Sequence, residues 1–275
     1  MPPAAESDLV LALLLADAAD AVSMRHFTGR PVAAETKSDG SPVTETDRAV
    51  ERRVAEILAS ERPGDGILGE EIGASGPTGR RWIVDGIDGT VLFVRGQRAW
   101  ATEIALEVDG ELAVGVSTSP AVGARWWASR GGGAWRTGPV PGVTPRDVAG
   151  APRRLHVSDG VGDGDGRGPR VTVIPPLAAL RGDERDLGER LAGAGRYVQP
   201  VVHGALLVTE GVADACLQPS GGSWDFAAIA LIVEEAGGRF SDLAGRHDVH
   251  GGGPVLYSNG RVHDAVLAAL RPGPA

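Results

Sequence analysis

Cysteine and aromatic residues are scarce in this chain of 275 residues: there is one cysteine, Cys216, and Phe, Trp and Tyr together make up 4%. A single thiol excludes an internal disulfide and fits a reducing compartment, so Cys216 reads as a small buried hydrophobe. Clusters of lysine and arginine are also missing, and the formal net charge is -9. That balance argues against nucleic acid as a partner, because phosphate backbones select clustered basic side chains. No apolar run is long enough for a bilayer. The stretch 9–21 is broken by Asp17 and Asp20 and has no basic flank before it, so it predicts an amphipathic helix and no membrane partner. With no leader or anchor visible, a cytoplasmic location is expected. What remains is an ordinary globular composition, 42% hydrophobic and 23% charged, in a length that suits one large domain or two modest ones.

Apolar residues at helical spacing predict helices over 8–26 and 45–60, the second starting from Thr44 or Thr46 as its N-cap. The segment from Lys37 to Thr44 between them is rich in turn signals. From Gly66 the texture changes to short strand-like runs at 67–68, 82–84, 102–108 and 112–117, and Asp109-Gly110 predicts a hairpin between the last two. The Gly- and Pro-rich stretch 130–168 predicts one strand at 155–157, a joint near 138–150, and a mobile loop at Asp163-Gly-Asp-Gly. That run lacks the ligand spacing of a calcium loop. Beyond it, a strand at 171–174 and helices over 183–194, 203–210 and 224–236 predict alternating α and β elements, with Gly237-Gly238 as the final helix stop. Two parts follow: 1–140, α+β, and 141–275, α/β.

The run Trp82 to Thr90 brings Asp85 and Asp88, three residues apart, to the end of a buried strand and into a glycine turn. Two carboxylates this close repel unless a cation lies between them, and Asp is a hard donor suited to Mg²⁺. If Gly89 and Thr90 begin a helix, their N–H groups face a bound anion. Alone, Asp-x-x-Asp-Gly fits a solvated surface turn equally well. Glu70, after another short strand, and Asp225, at a helix start where it also suits a cap, place further acids at element ends.

Four blocks then resemble the inositol monophosphatase superfamily: Lys37 with Pro42 to Asp47, Gly69-Glu70-Glu71, Trp82 to Thr90, and Trp224-Asp225 followed by Glu235-Ala-Gly-Gly. The chain looks most like the bacterial histidinol-phosphate phosphatase branch, through its opening helices, Glu61-Arg-Pro-Gly-Asp, Gly251-Gly-Gly and Ser258-Asn-Gly. The resemblance implies an αβαβα sandwich and a phosphoric monoester hydrolase. It implies two or three Mg²⁺ held by Glu70, Asp85, the Ile87 carbonyl, Asp88 and Asp225, and a phosphate over Gly89 and Thr90. Glu70, Thr90 and Asp47 would position the attacking water. A homodimer and inhibition by Li⁺ are implied as well.

Departures bear on specificity. Gly86 stands where the family usually has Pro, which frees the backbone before the Ile87 carbonyl. Val91-Leu92 replace Thr-Asn, and Pro200-Val201 align with the branch's Gly-Asp. Arg95, Glu103, Val201, His203 and Ser223 are therefore the candidate specificity residues, with Arg95 and Glu103 expected near the site mouth. Trp126, Trp127 and Trp135 form an aromatic cluster expected to fill the core. Three functions stay open: a histidinol-phosphate or inositol-phosphate-like phosphatase, a phosphatase retuned to a sugar, cyclitol or nucleotide phosphate, and a metal-binding homologue with little catalysis.

Overall fold

A computed structural model describes residues 4–38, 40–140, 150–162 and 168–271. The first half runs α1 (Ala4–His26), β1 (Glu35–Thr36), β2 (Pro42–Val43), α2 (Glu45–Glu61), β3 (Gly66–Gly69), β4 (Gly73–Ser75), β5 (Arg80–Asp88), α3 (Thr90–Val94), β6 (Ala101–Val108), β7 (Glu111–Ser119), β8 (Ala124–Ser129) and β9 (Gly133–Thr137). The second half runs β10 (Arg153–Arg154), β11 (Arg170–Val173), α4 (Gly182–Gly193), β12 (Arg196–Tyr197), α5 (Gly204–Thr209), β13 (Ala215–Gln218), α6 (Ser223–Glu235), β14 (Arg239–Asp242), β15 (Val255–Ser258) and α7 (His263–Leu270).

The sheet ordered β10-β9-β8-β7-β6-β5-β3-β4 is covered on one face by α1 and α2 and on the other by α6, while the sheet ordered β12-β11-β13-β15-β14 packs between α5 and α6 on one side and α4 and α7 on the other. The layers are therefore αβαβα, as the resemblance implies. The central layer follows from composition. Every residue of α6 from Phe226 to Val233 is buried, and a helix apolar on all sides is stable only when covered all round. Gly115 permits the approach: a Cβ there would lie 2.7 Å from the Ala228 carbonyl oxygen of α6. Among the described residues no helix is long and apolar enough to cross a membrane.

Both opening helices form where helical spacing places them, and Thr44 is the N-cap of α2, in a capping box with Asp47. Asp109 and Gly110 both have positive φ, 51° and 84°, the conformation of a two-residue hairpin turn. The turn-rich segment before α2 carries the small antiparallel pair β1–β2.

The stretch after Arg130 differs from the sequence reading. Gly131 and Gly133 at positive φ close a hairpin between β8 and β9, so the glycines end one strand and begin another. The later strand is β10 at Arg153–Arg154, and 155–157 lie outside it, though the Leu155 N–H still bonds the Ala134 carbonyl at 2.8 Å. The expected joint falls largely on 141–149 and the Asp163 loop on 163–167, both outside the described residues. The three tryptophans do not form one cluster. Strand alternation sends fully buried Trp126 toward α6 and the end of α5, where its ring N–H bonds Glu210 at 3.1 Å, whereas Trp127 and Trp135 pair across the ladder on the opposite face.

Candidate metal centre and active site

Asp85 and Asp88 are three residues apart on one strand, and in a regular strand they would point to opposite faces. The ladder shows how they meet. Asp85 pairs with Glu103 and Asp88 with Ala101, so Gly86 and Ile87 together oppose Thr102. This is a β-bulge, and its extra residue resets the alternation so that Asp88 joins the side of Asp85.

Two hydrogen bonds and one close polar contact fix the bulge. The Thr102 hydroxyl donates to the Gly86 carbonyl at 2.8 Å, the Ile87 N–H donates to Asp85 Oδ1 at 2.9 Å, and the Thr90 hydroxyl lies 3.0 Å from the Ile87 carbonyl oxygen. Gly86 itself is pressed against the start of α2, where a Cβ would lie 2.5 Å from the Asp47 carbonyl oxygen. Its lack of a side chain therefore serves close packing, and the freed backbone expected from losing proline is held by neighbours. Gly86→Ala is expected to cost about 1–3 kcal/mol through overpacking and to lower turnover, because the strain falls between Asp47 and the bulge. Thermal unfolding and an activity assay check this, and a wild-type result in both would count against the close packing.

Asp225 arrives from the opposite element. It sits in the first turn of α6, where its Oδ2 accepts the Gly222 N–H at 2.6 Å, so it acts as a cap and also reaches the bulge. Asp85, Asp88 and Asp225 each offer an oxygen within 4.8 Å of the other two. Burial, reinforced by the charges of neighbouring acids including Glu70, raises all three carboxyls: Asp88 to about 8, Asp225 to about 7, and Asp85 well above the usual range. Buried hard oxygens that repel one another are the donor set a divalent cation satisfies, and these residues fit such an ion.

Glu70 follows β3 and lies 2.5 Å from the Nζ of Lys37, the chain's only lysine, which also reaches Glu71 at 2.5 Å. Desolvation raises the Glu70 carboxyl and the Lys37 ion pair opposes that rise. Asp47 and Thr90 form a second unit. Asp47 Oδ2 accepts the Thr44 N–H at 2.9 Å and the Thr44 hydroxyl at 2.5 Å, while Oδ1 lies 2.9 Å from the Thr90 hydroxyl. Two donors hold one oxygen of the carboxylate, and Thr90 meets the other. Gly89 has the left-handed conformation that lets α3 begin at Thr90.

The specificity candidates scatter. Arg95 is exposed at the end of α3. Val201, 37% exposed, lines a shallow cavity of roughly 200 Å³ with Gln97, Arg98, Ala99 and Val122. His203 is buried, its Nδ1 accepting the Ala205 N–H at 3.3 Å to cap α5, and burial lowers its pKa to about 4, so it is a neutral structural ring. Glu103 is not at a mouth: it is 0% exposed, on the floor beneath Asp85. Ser223 bonds His250 Nδ1 at 2.9 Å, and His250 Nε2 lies 2.6 Å from Glu107, itself paired with Arg81 at 2.7 Å. That chain ties the start of α6, and hence Asp225, to β5 and β6. Sequence reading missed His250, Glu107 and Glu51 because their partners are remote. Glu51 is fully buried in α2 and receives the N–H groups of Glu71 and Ile72 at 3.0 Å each, and burial raises it to about 7.

Comparison with known proteins agrees with this geometry. The family model described as "Inositol monophosphatase family" matches residues 5–273. The chain is 43% identical to a histidinol-phosphatase of Mycobacterium tuberculosis over 273 residues, covering 97% of this chain and 98% of that one. It is 41% identical to a Streptomyces griseus protein named glucose-1-phosphate thymidylyltransferase, covering 97% of each. Among solved structures, an inositol monophosphatase from Thermotoga maritima superposes with a TM-score of 0.78 at 26% identity, covering 96% of each chain. With the bulge, the converging acids and a match along almost its whole length, the chain belongs to the inositol monophosphatase family.

Proposed function

We propose that this phosphoric monoester hydrolase is a Mg²⁺-dependent enzyme, using two or three ions, that acts on histidinol phosphate or a similarly small, polar phosphate ester such as an inositol phosphate. The observation that carries this reading is the convergence of Asp85, Asp88 and Asp225 within 4.8 Å, beside the Asp47–Thr90 pair. Glu70, Asp85, the Ile87 carbonyl, Asp88 and Asp225 would hold the ions, which when bound neutralise phosphoryl charge and acidify water. The protein's own groups do the rest. The Thr90 hydroxyl gives its proton toward Asp47 Oδ1, which leaves its oxygen lone pairs to accept a proton from the attacking water. Glu70 orients that water from the other side, and the ion pair with Lys37 holds Glu70 in place. The backbone N–H groups of Gly89 and Thr90 bind the phosphate. No covalent phosphoenzyme is needed. A homodimer and a cytoplasmic location are part of the same proposal and rest on the resemblance.

A second reading, an enzyme retuned to a sugar, cyclitol or nucleotide phosphate, has its own support. Apolar Val201 stands exposed where the resemblance expects an aspartate, and the Streptomyces griseus relative bears a name that concerns a sugar phosphate. Phosphate release from histidinol phosphate, inositol phosphates, sugar phosphates and nucleoside monophosphates, with Mg²⁺, with EDTA and with Li⁺, separates the readings. Mg²⁺-dependent turnover led by histidinol phosphate is expected. Preference for a sugar or nucleotide ester would favour the second reading, and silence alongside measurable Mg²⁺ binding would favour a homologue with little catalysis.

A further inference from the structure

Glu103 places a carboxyl on a face of β6 where its nearest neighbours are small. Its neighbours on the same face of β6 toward the bulge and along the strand, Ala101 and Ala105, are apolar and buried. The Glu103 side chain is 0% exposed; Oε1 accepts the Ser117 hydroxyl at 2.7 Å from the adjacent β7, and Oε2 has no hydrogen-bond partner among the described residues. An unpaired buried acceptor is costly, and more so when charged. A group placed purely for packing gains nothing from that cost. The position of the side chain supplies a reason. Glu103 stands directly opposite Asp85 in the ladder, so both project from one face with Cβ atoms about 5 Å apart. Asp88 and Asp225 are near enough for their charges to act on it.

We propose that Glu103 is a fifth acid of the cation site, a supporting carboxylate whose free Oε2 faces the ion's surroundings from the floor beneath Asp85 and raises the affinity of the site for a divalent cation. This rests on reading the acid cluster as a cation site, and it adds to that reading a residue outside the ligand set the resemblance implies. Ser117 has the matching role of fixing the carboxylate through Oε1.

The test is Mn²⁺ binding to the full chain, read by calorimetry and by the electron paramagnetic resonance of the free ion, with thermal unfolding of the metal-free protein alongside. Glu103→Gln keeps the shape and an oxygen for Ser117 but removes the charge. It is expected to weaken Mn²⁺ binding about 10–100-fold, the usual effect of losing an outer partner of a metal site, while the metal-free unfolding midpoint stays level or rises. Unchanged Mn²⁺ affinity with a lowered midpoint would show a structural role and overturn the proposal. If Glu103→Gln does not fold, Glu103→Leu replaces it under the same criteria, and failure of both to fold also overturns it. Binding by the wild type is the control: no Mn²⁺ binding at all defeats the cation-site reading and this inference together. Equal binding by wild type and variant defeats this inference alone. Neither outcome depends on which ester is hydrolysed.

Discussion

Asp85→Asn abolishes turnover and leaves the fold in place: that is the largest single effect expected of any substitution in this protein. Asn matches Asp in shape, and its side-chain oxygen still accepts the Ile87 N–H that Asp85 Oδ1 holds at 2.9 Å, so the bulge survives. What is lost is a charge at the centre of a donor set whose members lie within 4.8 Å. Losing an outer partner of a metal ligand costs about 10–100-fold, and losing the ligand's charge exceeds that range. Metal-free unfolding serves as the control. Burial first, and then the charges of Glu70, Asp225, Asp88 and Glu51, hold the Asp85 pKa well up, so removing its charge relieves desolvation and repulsion and the variant's midpoint should match or exceed that of the wild type at alkaline pH. Wild-type rates in Asp85→Asn would refute the metal mechanism outright. A variant that is inactive because it has unfolded would instead point to a structural role for Asp85.

The second large effect is a dependence of stability on pH that reverses its meaning when metal is removed. Asp88 and Asp225 have folded-state pKa values of about 8 and about 7, up from an ordinary 3.8: burial raises both first, the charges of Asp225 and Glu70 add to the rise of Asp88, and that of Glu70 adds to the rise of Asp225 against the Gly222 hydrogen bond. Carboxyls with raised pKa values bind protons more tightly folded than unfolded. Their contribution is therefore complete at acid pH, below the unfolded value, and is lost as pH climbs through about 7 and about 8. The metal-free protein should accordingly unfold at falling temperature between about pH 4 and about pH 8. Mg²⁺ takes the place of the protons, so its affinity rises across the same window. At about a hundred times its Kd it adds about 2.7 kcal/mol, on the order of 5–10 °C in midpoint. Differential scanning with Mg²⁺ and with EDTA reads both limbs. A metal-free midpoint that rises with pH over that range would show the acids to be satisfied without a cation.

Much of this arrangement is legible in the residues. The helical spacing of 8–26 and 45–60, the Asp109-Gly110 turn and the wholly apolar run from Phe226 to Val233 specify local structure, because each rests on contacts between near neighbours or on solvent exclusion. The acids too are visible as unusual residues at element ends. The strand over Gly133–Thr137 was hidden because the glycines that close its hairpin look like the start of a long loop. Glu103, expected near the site mouth, lies buried for a related cause: polarity is read from sequence, but burial is decided by which strand or helix covers a residue.

The sequence by itself determined most of the elements, the donor chemistry and, through its motif blocks, the family. Only the tertiary structure decided that the donors meet. Residues 85 and 88 have opposite parity in a strand, and they share a face solely because Thr102 of the neighbouring strand stands opposite both Gly86 and Ile87. That bulge is a property of two paired strands, and the close fit of Gly86 beneath the Asp47 carbonyl is a property of strand and helix together. Asp225 comes 137 positions after Asp88, carried there by a helix whose burial between two sheets fixes where it starts. Each of these depends on contacts between segments distant in the chain, and local spacing contains no record of them.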